Sequence, residues 1–166
     1  MLKHLSIKDF VIVDQIELEF MSGFTVLTGE TGAGKSILID ALMLAVGERG
    51  DASLIRQGCD RAEINVTFHL VHMPDLMRWL AEHDLQGDDD LCLMRRIIET
   101  NGRSRNYING HSVTLQQLRM AGEFLLSIHS QHAHQALLQK DAQRELLDAF
   151  SGAQEAARAV KAAYQQ

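Results

Sequence analysis

Apolar and polar residues alternate with a period of two at the start of the chain. Leu5 and Ile7 stand against His4, Ser6 and Lys8, and Ile16, Leu18 and Phe20 stand against Glu17 and Glu19. That period marks half-buried strands, so strands are expected over residues 2–10 and 16–20, with Val11-Ile12-Val13 between them. After the Ser22-Gly23 turn, Phe24-Thr25-Val26-Leu27-Thr28 is a short β-prone run and is expected to be a third strand. Ile37 to Val46 is apolar enough for a buried helix, with Gly47 as its stop. Ile64, Val66, Phe68 and Leu70 restore the period of two over 63–70. Pro74 suits a first helical turn, and Leu76, Met77, Trp79 and Leu80 form one stripe of a short helix ending near Gly87. The helical spacing places Trp79 in the core or at its edge.

Farther along, Leu91 to Thr100 is strand-like, and Asn101-Gly102 is a tight-turn signal that pairs it with Arg103 to Asn109 as a hairpin. Asn109-Gly110 is a second turn of the same kind. Thr114 is an expected N-cap for a helix through Met120 stopped by Gly122, and the apolar run Phe124 to Ile128 has the length of a buried strand. From Asp141 onward, Leu146, Phe150, Ala153, Ala157, Val160 and Tyr164 are spaced as the a and d positions of a heptad. Ser151-Gly152 interrupts that seam, so its phase is firm only beyond Ala153. The seam still runs at Gln166, which reads as a coiled-coil helix cut short and the chain as part of a longer protein.

Between the third expected strand and the buried helix lies Gly29-Glu30-Thr31-Gly32-Ala33-Gly34-Lys35-Ser36. It fits the phosphate-binding pattern G-x-x-x-x-G-K-[ST] in the context that pattern requires, strand before and helix after. Glycines keep side chains from between the backbone N–H groups and a phosphate, and the helix directs its positive dipole end at the same place. Lys35 would reach the β- and γ-phosphates, and the Ser36 hydroxyl would ligate Mg²⁺. ATP and Mg²⁺ are thus the expected cofactors.

Composition narrows the class. The chain has 166 residues, 46% of them hydrophobic, and suits one domain or one domain with an appendage. No apolar run approaches the ~18 residues of a membrane span, and no membrane partner is expected. Cys59 and Cys92 lack metal-like spacing and read as reduced cysteines of a cytosolic protein. A formal net charge of −6 argues against a surface that binds nucleic acid all over, though not against a local patch.

Taken together, GETGAGKSILIDAL after three short strands, then GRSRNYING, then IHSQHAHQ, then a helix passing into coiled coil, resemble the N-terminal part of the RecN family. These are bacterial DNA double-strand-break repair proteins related to SMC and ABC-type ATPases, and the likeness covers residues 1 to 150. ABC-type ATPases also carry an antiparallel N-terminal sheet ahead of the phosphate loop. The resemblance implies an α/β P-loop NTPase fold with an antiparallel side sheet and the start of a coiled-coil helix. It divides the chain into an N-terminal lobe of an ATPase head, 1–140, and the root of a coiled-coil arm, 141–166. Gly29 to Ser36 then match the Walker A loop. Gln131 matches the Q-loop glutamine that contacts Mg²⁺ and senses the γ-phosphate. The signature loop, the Walker B carboxylate and glutamate and the switch histidine of such heads are not found in this sequence. The implied partners are the C-terminal half of the head, a second copy joined through sandwiched ATP, and DNA. The implied place is the cytoplasm, at the nucleoid.

Other groupings keep more than one reading. His129, His132 and His134 around Gln131 are open to zinc binding, to a polar loop lining the ATP site, or to plain surface histidines. Asp88-Asp89-Asp90 reads as a solvated turn rather than a metal loop, for want of ligands at Ca²⁺-loop spacing. Arg95, Arg96, Arg103 and Arg105 are the chain's one basic concentration. They read either as a solvated face paired with Glu99 or as DNA-phosphate contacts, the latter through Arg103 and Arg105. The expected function is ATP binding that drives head engagement and DNA capture in double-strand-break repair, with ATP hydrolysis left to the intact protein. A conventional P-loop enzyme, such as a transporter ATPase subunit or small kinase, and a non-hydrolysing assembly module are the alternatives.

Overall fold

A computed structural model describes residues 1–28, 34–71, 73–88, 90–126 and 140–164. Two compact units, Met1–Leu126 and Ser127–Gln166, divide the chain.

The first unit is built on β1 (Leu2–Phe10), β2 (Val13–Glu19), β3 (Arg61–His69), β4 (Leu91–Glu99), β5 (Ser104–Ile108) and β6 (His111–Val113). These form one antiparallel sheet in the order β2-β1-β3-β4-β5-β6. Alternation sorts the side chains. Leu5, Ile7, Ala62, Ile64, Val66, Phe68, Cys92, Met94, Ile98 and Ile108 form one buried face. The other face carries Glu17, Ser6, Asn65, Arg95, Tyr107 and Ser112 in a single row from edge to edge. Three helices supply most of the rest of the core: α1 (Lys35–Ala45) through Ala41, Leu44 and Ala45; α2 (Pro74–Glu82) through Leu76, Trp79 and Leu80; and α3 (Leu115–Leu125) through Leu118, Ala121 and Leu125. Phe10 and the connecting residues Ile55, Leu70 and Leu85 complete it. Burial of Cys92 in that core pushes its thiol up to about 12.

Local signals explain most boundaries. Asn109 at φ 49° and Gly110 at φ 82° give the β5–β6 hairpin the two left-handed positions of a tight turn. The Asn109 amide serves the fold twice: Oδ1 accepts from the Leu93 N–H at 2.8 Å and Nδ2 donates to the Leu85 carbonyl at 2.8 Å. Thr114 caps α3 in a full capping box with Gln117.

Four expectations need correction. Phe24 to Thr28 form no strand, and Phe24 is 93% exposed. A strand of a phosphate-loop core takes its hydrogen bonds from neighbours on both sides, and among the described residues no strand pairs with this run. The second concerns α3, which does not stop at Gly122 but runs to Leu125, so Phe124 and Leu125 are helical rather than part of a buried strand. Ser127 and Ile128 lie outside the described residues. Third, α2 ends at Glu82, well before Gly87, and Met77 is exposed rather than part of the buried stripe. His83 closes that helix, stacking on Trp79 at 4.2 Å between ring centroids, and Asp84 turns the chain away at φ 55°. Fourth, Arg96 is not solvated but 1% exposed.

Gly122 is present for proximity, not for a turn. A Cβ at this position would lie 2.4 Å from the Val46 carbonyl oxygen, and one at Gly47 would lie 2.6 Å from the Arg119 Cα. The C-terminal end of α1 and the body of α3 therefore touch backbone to backbone. Overpacking there should outweigh the gain in helix propensity, so Gly122→Ala is expected to destabilise the protein by about 1–2 kcal/mol. Urea unfolding measures it, and an unchanged midpoint would show that the two helices separate without cost.

The second unit contains α4 (Lys140–Ser151) and α5 (Gln154–Tyr164). The expected interruption is a true break, with Gly152 at φ 70° and Ala153 N–H bonded back to the Asp148 carbonyl at 2.9 Å. Of the heptad residues, Phe150, Val160 and Tyr164 are exposed.

Candidate nucleotide-binding site

Gly34 stands at the entry to α1 with φ 93°, a left-handed conformation that side chains rarely tolerate. The helix begins at the next residue, and its first backbone bond runs from the Leu38 N–H to the Gly34 carbonyl at 3.3 Å. No side chain caps this end. Its first-turn N–H groups thus keep the polarity that draws an anion. Lys35 is half-buried and Ser36 exposed, both in the first turn. Gly29, Glu30, Thr31, Gly32 and Ala33 lie outside the described residues. So do Gln131 and the histidines at 129, 132 and 134. Among the described residues, no group of His, Cys, Asp or Glu is arranged to hold a metal ion, and no helix is long and apolar enough to cross a membrane.

The opposite end of α1 is held by a residue that the sequence pattern placed on the surface. Arg96 donates from one terminal nitrogen to the Leu44 carbonyl at 2.8 Å and to the Glu48 carbonyl, and from Nε to Ser104 Oγ at 3.3 Å. Burial pulls its pKa down from the ordinary arginine value. The signal was parity: Arg96 is in phase with Cys92, Met94 and Ile98, while Arg95 is in phase with Glu99.

The other three arginines do face outward. Arg95 Nε lies 2.9 Å from Glu63 Oε1, and its guanidinium sits 5.8 Å from the Tyr107 ring centroid. Burial alone would raise the Glu63 pKa, but the Arg95 and Asn65 contacts outweigh it and leave the carboxyl below its ordinary value. Arg105 pairs with Glu99, as the solvated-face reading anticipates. Arg103 follows the Asn101-Gly102 turn and is exposed, with no ion pair among the described residues.

The AAA domain family matches residues 4–165. The chain belongs to this family. Membership implies nucleotide binding for an AAA domain whose α1 entry has the features above. Among curated relatives, the AAA domain is 46% identical over 165 residues to the DNA repair protein RecN of Vibrio cholerae, covering 99% of this chain and 30% of that one. It is 44% identical over 154 residues to RecN of Bacillus subtilis, covering 93% and 27%. The resemblance to the N-terminal part of RecN is thereby borne out. The chain spans about 30% of the length of these relatives. Among solved structures, the Smc head domain with a coiled coil and joint from Pyrococcus yayanosii superimposes with a TM-score of 0.69 at 21% identity, over 99% of this chain and 35% of that one. The recombination mediator RecF with ATP gives 0.56 at 18% identity, over 90% and 38%. These likenesses establish the α/β fold of SMC-type heads for the AAA domain described here.

Proposed function

We propose that this chain is the ATP-binding N-terminal part of a RecN-like DNA repair ATPase, acting in recombinational repair of double-strand breaks. The observation that carries it is the left-handed Gly34 leading directly into an uncapped α1 with Lys35 and Ser36 on its first turn, in a chain 46% identical to a DNA repair protein RecN. Residues 1–140 then serve as the N-terminal lobe and 141–166 as the root of a coiled-coil arm. The place of action is the cytoplasm, at the nucleoid.

In this reading the backbone from Gly29 to Gly34 wraps the phosphates, Lys35 holds the terminal ones, and Ser36 with Gln131 holds Mg²⁺. The metal supplies neutralisation of phosphate charge. The exposed Phe24, Val26 and Leu27 are strand-forming side chains without a strand. They fit a sheet completed by the C-terminal half of the head, the first partner. A second copy engaged across ATP, and DNA, are the others. Binding energy at the γ-phosphate would favour the engaged state over the open one, and only that differential binding can drive DNA capture.

Calorimetric titration of the protein with Mg-ATP tests the nucleotide half of the reading. The DNA half is tested by replacing Arg103 and Arg105 with alanine together. Duplex affinity should fall, and the slope of log K against log salt should flatten by about one unit for each phosphate no longer neutralised. Because Arg105 already pairs with Glu99, Arg103 is expected to account for more of the change. An unaltered slope would leave these arginines as a solvated face.

A further inference from the structure

Arg96 and Asn106 are the buried polar side chains among the described residues, at 1% and 6% exposure. They are neighbours in a row that is otherwise apolar: Ile16, Ile7, Ile64, Arg96, Asn106 and Val113. Ser104 joins them, accepting from Arg96 Nε and donating to Asn106 Oδ1 at 3.0 Å. Among the described residues no carboxylate forms an ion pair with Arg96. A buried charge needs compensation, and an apolar residue of similar volume commonly stabilises a core better. What compensates the charge here is the Leu44 carbonyl in the last turn of α1, the Glu48 carbonyl just beyond the helix, and the negative end of the helix dipole. The planar guanidinium reaches two carbonyls and a hydroxyl at once, which an ammonium on a lysine stem does not do in one geometry.

The same end of α1 is pressed against α3 at Gly47 and Gly122. The helix is thus gripped from two sides at its C-terminus, while its N-terminus carries Gly34, Lys35 and Ser36 without a side-chain cap. A helix of 11 residues is a rod about 16 Å long. Where its far end is fixed decides where its near end points, and displacements of about 1 Å matter in sites built by positioning.

We propose that Arg96 is a positioning residue for the nucleotide site: by holding the Leu44 and Glu48 carbonyls against β4 and β5, it sets the placement of Lys35 and Ser36. This rests on the nucleotide-binding reading above. The affinity for ATP is then set in part from the β4–β5 hairpin, on whose outer side Arg95 and Arg105 lie.

The experiment compares Mg-ATP affinity in the intact protein and in Arg96→Met, Arg96→Lys and Leu76→Ala, each shown by circular dichroism to be folded at the temperature of measurement. Leu76 is buried in α2 and serves as a control for reduced stability alone. Arg96→Met should weaken ATP about tenfold or more, Arg96→Lys should recover part of the loss, and Leu76→Ala should melt earlier yet bind ATP as the unaltered protein does. Unchanged affinity in Arg96→Met overturns the inference, as does an equal loss in Leu76→Ala. Should Arg96→Met not fold, Arg96→Lys decides alone, and unchanged affinity there overturns it. Failure of the unaltered protein to bind ATP would overturn the nucleotide reading itself, a separate outcome.

Discussion

Lys35→Ala is expected to weaken Mg-ATP binding by about tenfold to a hundredfold. A hydrogen bond to a charged partner contributes about 1.5–3 kcal/mol, and each 1.4 kcal/mol is a factor of ten in affinity. The side chain is at the first position of α1 and outside the buried core, so its removal should shift stability by about 1 kcal/mol or less. The pair of results is what matters: calorimetric affinity falls while the thermal midpoint stays near that of the unaltered protein. Equal affinity in the two proteins, both with native circular dichroism, would sink the assignment of Lys35. A fall in both quantities would mean that Lys35 supports the fold rather than the ligand.

The second large effect concerns turnover. Residues 1–166 alone are expected to release phosphate from ATP at the buffer background. Positioning comes from the phosphate loop, but transfer to water also needs a group that orients the nucleophile and donors aimed at the developing charge. The sequence holds Lys35, Ser36 and Gln131 but no apolar run ending in Asp-Glu after Gln131. Supplying the C-terminal half of the head, fused or as a second chain, should restore hydrolysis that depends on Lys35. That hydrolysis should also rise with protein concentration, because the composite site as proposed takes two copies. A phosphate-release assay with and without that half is the measurement. Robust, Lys35-dependent hydrolysis by the chain alone would favour a conventional P-loop enzyme.

How much was legible in advance varied with the kind of signal. Strands β1, β2 and β3 followed from alternation, because a half-buried strand imposes a period of two residue by residue, whereas β4 read only as strand-like and β5 followed from the Asn101-Gly102 turn. The hairpin turns followed from Asn-Gly pairs: Asn109 and Gly110 are both left-handed, while at the first turn Gly102 alone is. Gly122 was misread because glycine serves two purposes that look alike in sequence. It ends helices by turning, and it lets backbones touch, and only the Val46 carbonyl opposite it tells which. Phe24 to Thr28 failed differently: strand propensity expresses a fit to neighbours, and among the described residues that run has none. Arg96 was legible by parity but hidden by the company of three outward arginines. The phosphate-loop pattern was plain from spacing alone, yet of its eight residues the structure describes only Gly34, Lys35 and Ser36.

The strand order carries a consequence for how the chain reaches this state. Two local units, the β1–β2 hairpin and the β4–β5–β6 meander, pair residues close in sequence. Joining β1 to β3 instead brings Leu2 beside Phe68 and encloses residues 20–60, the stretch that holds the phosphate loop and α1. Closing so long a loop costs entropy before any contact rewards it, and non-local strand pairing is what slows folding. The docking of β1 on β3 is therefore expected to be a late event in acquiring the sheet. Until it happens, α1 can rest on β3 and β4 but lacks its contact with β1, and the first turn that carries Lys35 and Ser36 is attached to an incomplete sheet.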